Sequence, residues 1–219
     1  MNQSDYEQSR ADFERWLTVI LHELYGWNIY LHKDDQLIKE FDIYGATDYH
    51  VWRWHPDFPN KIRQTFRLCM RVQWERIYPT FTIGCRCKDA SYQPEITKLC
   101  AAYRSRAEFD FPQWNIQCYG DKRGGNLLYF GIIRNEELIK FHNGAKEQEL
   151  LYLYKMPGEG TKEFLCFPYY ELSKYTFRTY VMVDGKATLT DLTEWRWKRH
   201  DKWSAYDFPS ILSGLSQQK

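Results

Sequence analysis

FDIYGATDYHVWRW at residues 41–54 and TFRLCMRVQWERIYPTFTIGCRCK at residues 65–88 are the stretches that decide the fold. In the first, Gly45-Ala46-Thr47 has turn character, and Tyr49 to Trp54 reads as a strand. Asp48 therefore stands at a turn-to-strand junction. Ile62 to Trp74 reads as a second, longer strand. Phe66, Leu68, Met70, Val72 and Trp74 share one of its faces and Arg67, Cys69, Arg71 and Gln73 the other, because successive side chains of a strand point to opposite sides. Gln73, Glu75 and Arg76 close that strand, Tyr78-Pro79 breaks it, and Thr80 to Cys87 returns as another, with Lys88 at its end. Two readings stand side by side. In one, an acid at the start of one strand faces polar groups late on the next, as a cation site requires. In the other, a twisted antiparallel sheet carries ordinary surface polar residues.

Working outward, Ser4-Asp5-Tyr6-Glu7 is a capping box, and Phe13, Trp16, Leu17, Ile20 and Leu24 repeat at helical spacing. The spacing predicts a helix to Tyr25, stopped by Gly26. Strands follow at 27–33, 37–44 and 49–54, and the two prolines of His55 to Asn60 predict a loop. Pro94 opens a helix with Ile96, Leu99, Cys100 and Tyr103 on its apolar side and Lys98, Arg104 and Arg106 on its polar side. Trp114–Tyr119 and Leu127–Ile133 flank a glycine-rich turn. Its Lys122-Arg123-Gly124-Gly125 lacks the Walker pattern and reads as a hairpin turn. A short helix at 136–141, a strand pair at 150–154 and 163–167, and a strand at 177–183 complete the pattern. Trp195 to Trp203 mixes bases with aromatics, which suits either a nucleic-acid backbone or cations snorkelling over a tryptophan core. The expected architecture is α/β (α+β): a mixed central β-sheet flanked by helices. Residues 1–135 form the core, and 136–219 form a β-rich C-terminal extension packed on the same domain.

Composition narrows the function classes. A chain of 219 residues that is 43% hydrophobic and 18% aromatic builds a core of its own. The formal charge is only +1, yet residues 61–106 hold ten Lys/Arg against three Asp/Glu, on a body that is otherwise weakly acidic. Such asymmetry suggests an anionic partner. The six cysteines fall mostly inside predicted elements and read as buried free thiols of a reducing compartment. Cys85-Arg86-Cys87 has no second close pair to complete a zinc site. With a polar N-terminus and no long apolar run, the expected location is cytoplasmic.

A helix, several strands, a helix and then one or two strands is the core order of the PD-(D/E)xK nuclease superfamily. GATDY at 45–49 and VQWER at 72–76 resemble strand sequences of its phage and bacterial members, and YPTFTI at 78–83 is similar to the strand that follows. The resemblance covers roughly residues 10–120. It implies Mg²⁺ held by a carboxylate on each of two adjacent strands, with a lysine two residues past the second acid orienting the attacking water. Carried onto this chain, it makes Asp48 the first ligand and Gln73 and Glu75 the candidates for the second position, so that Asp48 and Glu75 hold the metal. No lysine follows at that spacing, and Lys88 is the candidate substitute. Arg67, Arg71, Arg76 and Arg86 are the expected contacts to nucleic acid, DNA favoured over RNA. The implied function is a nucleic-acid-binding protein of nuclease-like fold, with Mg²⁺-dependent DNA endonuclease activity. The alternative is an inactive binding module of that fold, acting through protein or nucleic-acid partners in a phage or host-defence setting.

Overall fold

The computed structural model describes residues 3–30, 47–75, 80–86, 94–105, 111–147, 152–155, 163–169, 172 and 177–190. Helix α1 (Gln3–Tyr25) buries Phe13, Trp16, Leu17 and Leu21, which fall on one side at helical spacing. It ends where Gly26 adopts φ 65° and donates its N–H to the His22 carbonyl at 2.8 Å, a left-handed cap that a residue with Cβ adopts only under strain.

The strands are β1 (Asn28–Tyr30), β2 (Tyr49–His55), β3 (Phe58–Trp74), β4 (Thr80–Arg86), β5 (Trp114–Gly120) and β6 (Leu127–Arg134), then β7 (Tyr152–Lys155), β8 (Glu163–Pro168), β9 (Phe177–Val183) and β10 (Lys186–Leu189). Helix α2 (Glu95–Ser105) lies between β4 and β5, and α3 (Asn135–Glu147) follows β6 directly. The class is mixed α+β. Seven strands form one mixed sheet in the order β1-β2-β3-β5-β6-β9-β10, and three form a second in the order β4-β8-β7. β3 and β5 pair in parallel, which requires a crossover, and the crossover carries β4 and α2. The extension after α3 is woven into both sheets, β9 pairing with β6 and β8 with β4.

Each face of the large sheet covers its own core. α1 packs on one face over Tyr49, Val51, Leu68, Val72, Ile116, Phe130 and Ile132. The other face carries Tyr119, Tyr129 and Ile133 against α2, α3 and the small sheet, through Leu99, Leu138, Phe81 and Phe167.

Three expectations change. The strand expected after Trp74 does not continue the sheet beside β3: β4, from Thr80 to Arg86, joins the second sheet by pairing with β8. The loop at 55–60 shrinks to a Pro56-Asp57 turn, with His55 paired to Phe58. Pro59 is tolerated because it sits at the exposed start of β3, where a missing donor costs little. Lys98, expected on a solvated helix face, is buried, because α2 packs against both β4 and α3. Cys69, Cys85, Cys100, Cys118 and Cys166 are free thiols. Among the described residues no helix is long and apolar enough to cross a membrane. The expected strand at 37–44, Arg76, Cys87, Lys88, Arg106 and Trp195 to Trp203 lie outside the described residues.

Candidate nucleic-acid interface

The β2–β3 register decides what Asp48 can do. Tyr49 pairs with Leu68 and His50 with Arg67, so Asp48 meets β3 at Leu68 to Met70. Its N–H donates to the Leu68 carbonyl at 2.9 Å, and its Oδ2 accepts the Met70 N–H at 2.7 Å. The carboxylate thus supplies the rung that the backbone would have made. Glu75 lies five residues beyond Met70, about 17 Å at 3.3 Å per residue. It is exposed, sits at φ 62° where β3 ends, and donates its N–H to the Gly120 carbonyl. Gln73 donates from Nε2 to Thr82 Oγ1 at 3.4 Å. Asp48 and Glu75 are therefore not brought around one hydrated ion.

The β3 residues that do neighbour Asp48 are Cys69 and, two further on, Arg71. By register the residue opposite Asp48 is a thiol, and the next residue on the same face of β3 is an arginine. Cys69 is buried, and Asn115 Nδ2 donates to its Sγ at 2.8 Å. Burial, and then the Glu95 and Asp48 carboxylates, push this thiol well above its ordinary range, so it stays protonated at neutral pH. A neutral thiol is a poor substitute for the hard oxygen that Mg²⁺ prefers. Among the described residues no group of three His, Cys, Asp or Glu is placed to hold a metal.

Arg71, expected to contact phosphate, is engaged in an ion pair. Its Nη2 meets Glu95 Oε2 at 2.6 Å, and the same oxygen accepts the Gly84 N–H at 3.1 Å. The neighbouring polar residues form a joint between the two sheets. Gln117, fully buried, accepts the Thr82 N–H at 2.7 Å and donates to the Tyr119 hydroxyl at 3.0 Å, which donates to the Thr80 carbonyl at 2.5 Å. The Lys122–Gly125 turn is likewise structural, since Arg123 pairs with Asp5 of α1 at 2.6 Å. Arg86 ends β4, and its side chain lies outside the described residues.

Among the described residues, cations without an ion pair cluster elsewhere. β3 begins ten residues before its first partner in β5, Leu68 opposite Trp114. The early part of β3 and the late part of β2 therefore project from the sheet as a two-stranded ribbon, with Phe58 and Ile62 about half exposed near its tip. Arg53, Lys61 and Arg63 lie on it, Arg67 lies at its base where β1 still flanks β2 and Gln113 bonds β3, and Asp57 is the single carboxylate between residues 50 and 67. Among the described residues none of these four cations is in an ion pair. The Arg63 guanidinium lies 4.6 Å from the ring centre of Trp52 and 5.1 Å from that of Trp54, two rings that meet edge to face at 5.6 Å. Of the expected contacts, Arg67 is at the base of this ribbon. Lys61 and Arg63 belong to the 61–106 basic stretch without having been singled out, and Arg53, Trp52 and Trp54 lie outside it. The signal was there: HVWRWH and KIRQTFR alternate in step on either side of a short turn.

The chain matches no protein-family model, no curated protein and no solved structure.

Proposed function

We propose that this chain is a nucleic-acid-binding protein that grips its ligand with the β2–β3 ribbon. The observation that carries the reading is Arg63 lying over the Trp52 and Trp54 rings, among cations that form no ion pair among the described residues. Fixed, unpaired cations attract phosphates, and binding releases the counterions that phosphates condense. Tryptophan faces stack on bases, and a two-stranded ribbon is narrow enough to enter a major groove. The order of α1, antiparallel β1-β2-β3, α2 and a β5 parallel to β3 accords with a nuclease-like ancestry. The separation of Asp48 from Glu75 favours the binding module over the Mg²⁺-dependent endonuclease.

Fluorescence anisotropy with labelled duplex DNA, single-stranded DNA and RNA tests the reading. Four phosphate contacts predict a slope of about −3.6 in log affinity against log salt for a duplex, a loss of about 150-fold between about 50 and 200 mM salt. Lys61→Gln combined with Arg63→Gln removes about half of that slope. Absence of binding at the lower salt, or a slope that ignores both substitutions, refutes the proposal. Cutting of any of these ligands in Mg²⁺ or Mn²⁺, lost in Asp48→Asn, would restore the endonuclease in its place.

A further inference from the structure

Where β3 runs on past the start of β5, the large sheet leaves a groove of about 410 Å³ beside the ribbon. Trp27, Phe66 and Trp114 line it as one aromatic cluster, the Trp27 ring 4.7 Å from Phe66 and 5.2 Å from Trp114. Tyr103 of α2, more than one-third exposed, stands on the opposite wall. Two cations also line it. Arg53 donates from Nε to Gln64 at 2.9 Å, and Arg134 lies over the Trp114 ring at 5.3 Å. Among the described residues neither meets a carboxylate, while the acid of the groove, Glu136, is held by Lys140 at 2.5 Å.

The backbone adds polar edges. Arg67 donates its N–H to Gln113 Oε1 and accepts the Gln113 N–H, so its peptide groups face the β5 side. Two residues earlier Thr65 turns its own N–H and C=O the same way, into the groove it lines. Trp27 contributes an indole N–H that is buried and, among the described residues, without a partner.

We propose that this groove receives one unstacked nucleobase of a single strand lying along the ribbon, with flanking phosphates at Arg53 and Arg134. The inference rests on the nucleic-acid-binding reading and deepens it to a ligand class. Flat aromatic walls, polar edges and cations that meet no carboxylate among the described residues match the three parts of a nucleotide: ring, base edge and phosphate. The volume falls within the range of about 300–1,000 Å³ typical of small-ligand sites. A duplex keeps its bases stacked and offers none to the groove unless one is extruded.

The test compares a 2-aminopurine-containing single strand, the same strand with abasic residues, and a duplex, in anisotropy and in 2-aminopurine emission. Stacking against aromatic walls quenches that emission. Wild-type protein binds the base-bearing strand more tightly than the abasic one and quenches its fluorescence. Tyr103→Ala weakens single-strand binding by roughly 5- to 150-fold and relieves the quenching, leaves duplex binding within about twofold, and Tyr103→Phe restores both. Arg134→Gln weakens single-strand binding in the same selective way. Equal affinity for base-bearing and abasic strands, with Tyr103→Ala silent, overturns the groove assignment. If Arg63→Gln still weakens every ligand, the ribbon reading survives that loss. No binding of any nucleic acid removes both. A dimer in sedimentation velocity that Tyr103→Ala dissociates assigns the groove to a second copy of the chain and overturns the proposal.

Discussion

Replacing Asp48 by alanine separates a strand-building residue from a metal ligand. In the structure Asp48 Oδ2 accepts the Met70 N–H at 2.7 Å, a charge-assisted bond at a half-buried position. Alanine leaves that amide without its acceptor. An unmet backbone donor costs about 1–3 kcal/mol, and loss of the charge assistance places Asp48→Ala in the upper half of that range. In a chain of this length each kcal/mol moves the midpoint by about 2–4 °C, so Asp48→Ala should melt about 4–12 °C lower. Asparagine keeps an oxygen at the same place and gives up the charge, and Asp48→Asn should lose about half as much. Urea unfolding followed by tryptophan fluorescence supplies the free energies, and an unchanged slope certifies that the unfolded states are comparable. Anisotropy in parallel should find nucleic-acid affinity unchanged in both variants, because Asp48 is not on the ribbon. Two results would refute the reasoning. One is an unaltered midpoint in Asp48→Ala. The other is a wild-type protein stabilised by Mg²⁺ or Mn²⁺ in a way that Asp48→Asn abolishes.

Asp12, almost completely buried on α1, accepts the Trp74 indole N–H at 2.8 Å and the Gly124 N–H at 3.0 Å, and also pairs with Arg15 at 2.8 Å. Asp12→Ala orphans two donors and should destabilise by about 2–4 kcal/mol in urea, a loss absent from Glu23→Ala on the exposed side of the same helix. Burial pushes the hydroxyls of Tyr119, Tyr129 and Tyr169 and the thiols of Cys69 and Cys118 upward, and the Cys166 thiol up to about 12. For an acid whose folded value is raised, the unfolded chain gives up the proton first. Stability is therefore intact below the unfolded values, about 8.5 for thiols and 10 for phenols, and drains away as pH rises past them. The thermal midpoint should hold to about pH 8.5 and then fall, with the buried tyrosines ionising only as the chain unfolds. Reversible titration of all the tyrosines near pH 10 in a folded protein would contradict this.

Local rules carried a good part of the fold. The body and end of α1 follow from its helical apolar spacing and Gly26, which act within one or two turns, whereas its start at Gln3 precedes the Ser4 expected to cap it. The β5–β6 hairpin follows from two apolar runs around a glycine-rich turn, and the two faces of β3 follow from alternation alone. Alternation, however, says nothing about partners, because sliding a strand by two residues preserves every face while exchanging every neighbour. Only the assembled sheet makes Cys69 and Arg71, in place of Glu75, the neighbours of Asp48. Charge behaves in the same way. Arg63 and Arg71 are indistinguishable in a count of basic residues. The fold brings Glu95, on a helix 24 residues away, onto Arg71, and leaves Arg63 between two tryptophans on a ribbon that reaches beyond the sheet. Coulomb energy depends on distance through space, and that distance comes into being only when the strands pair.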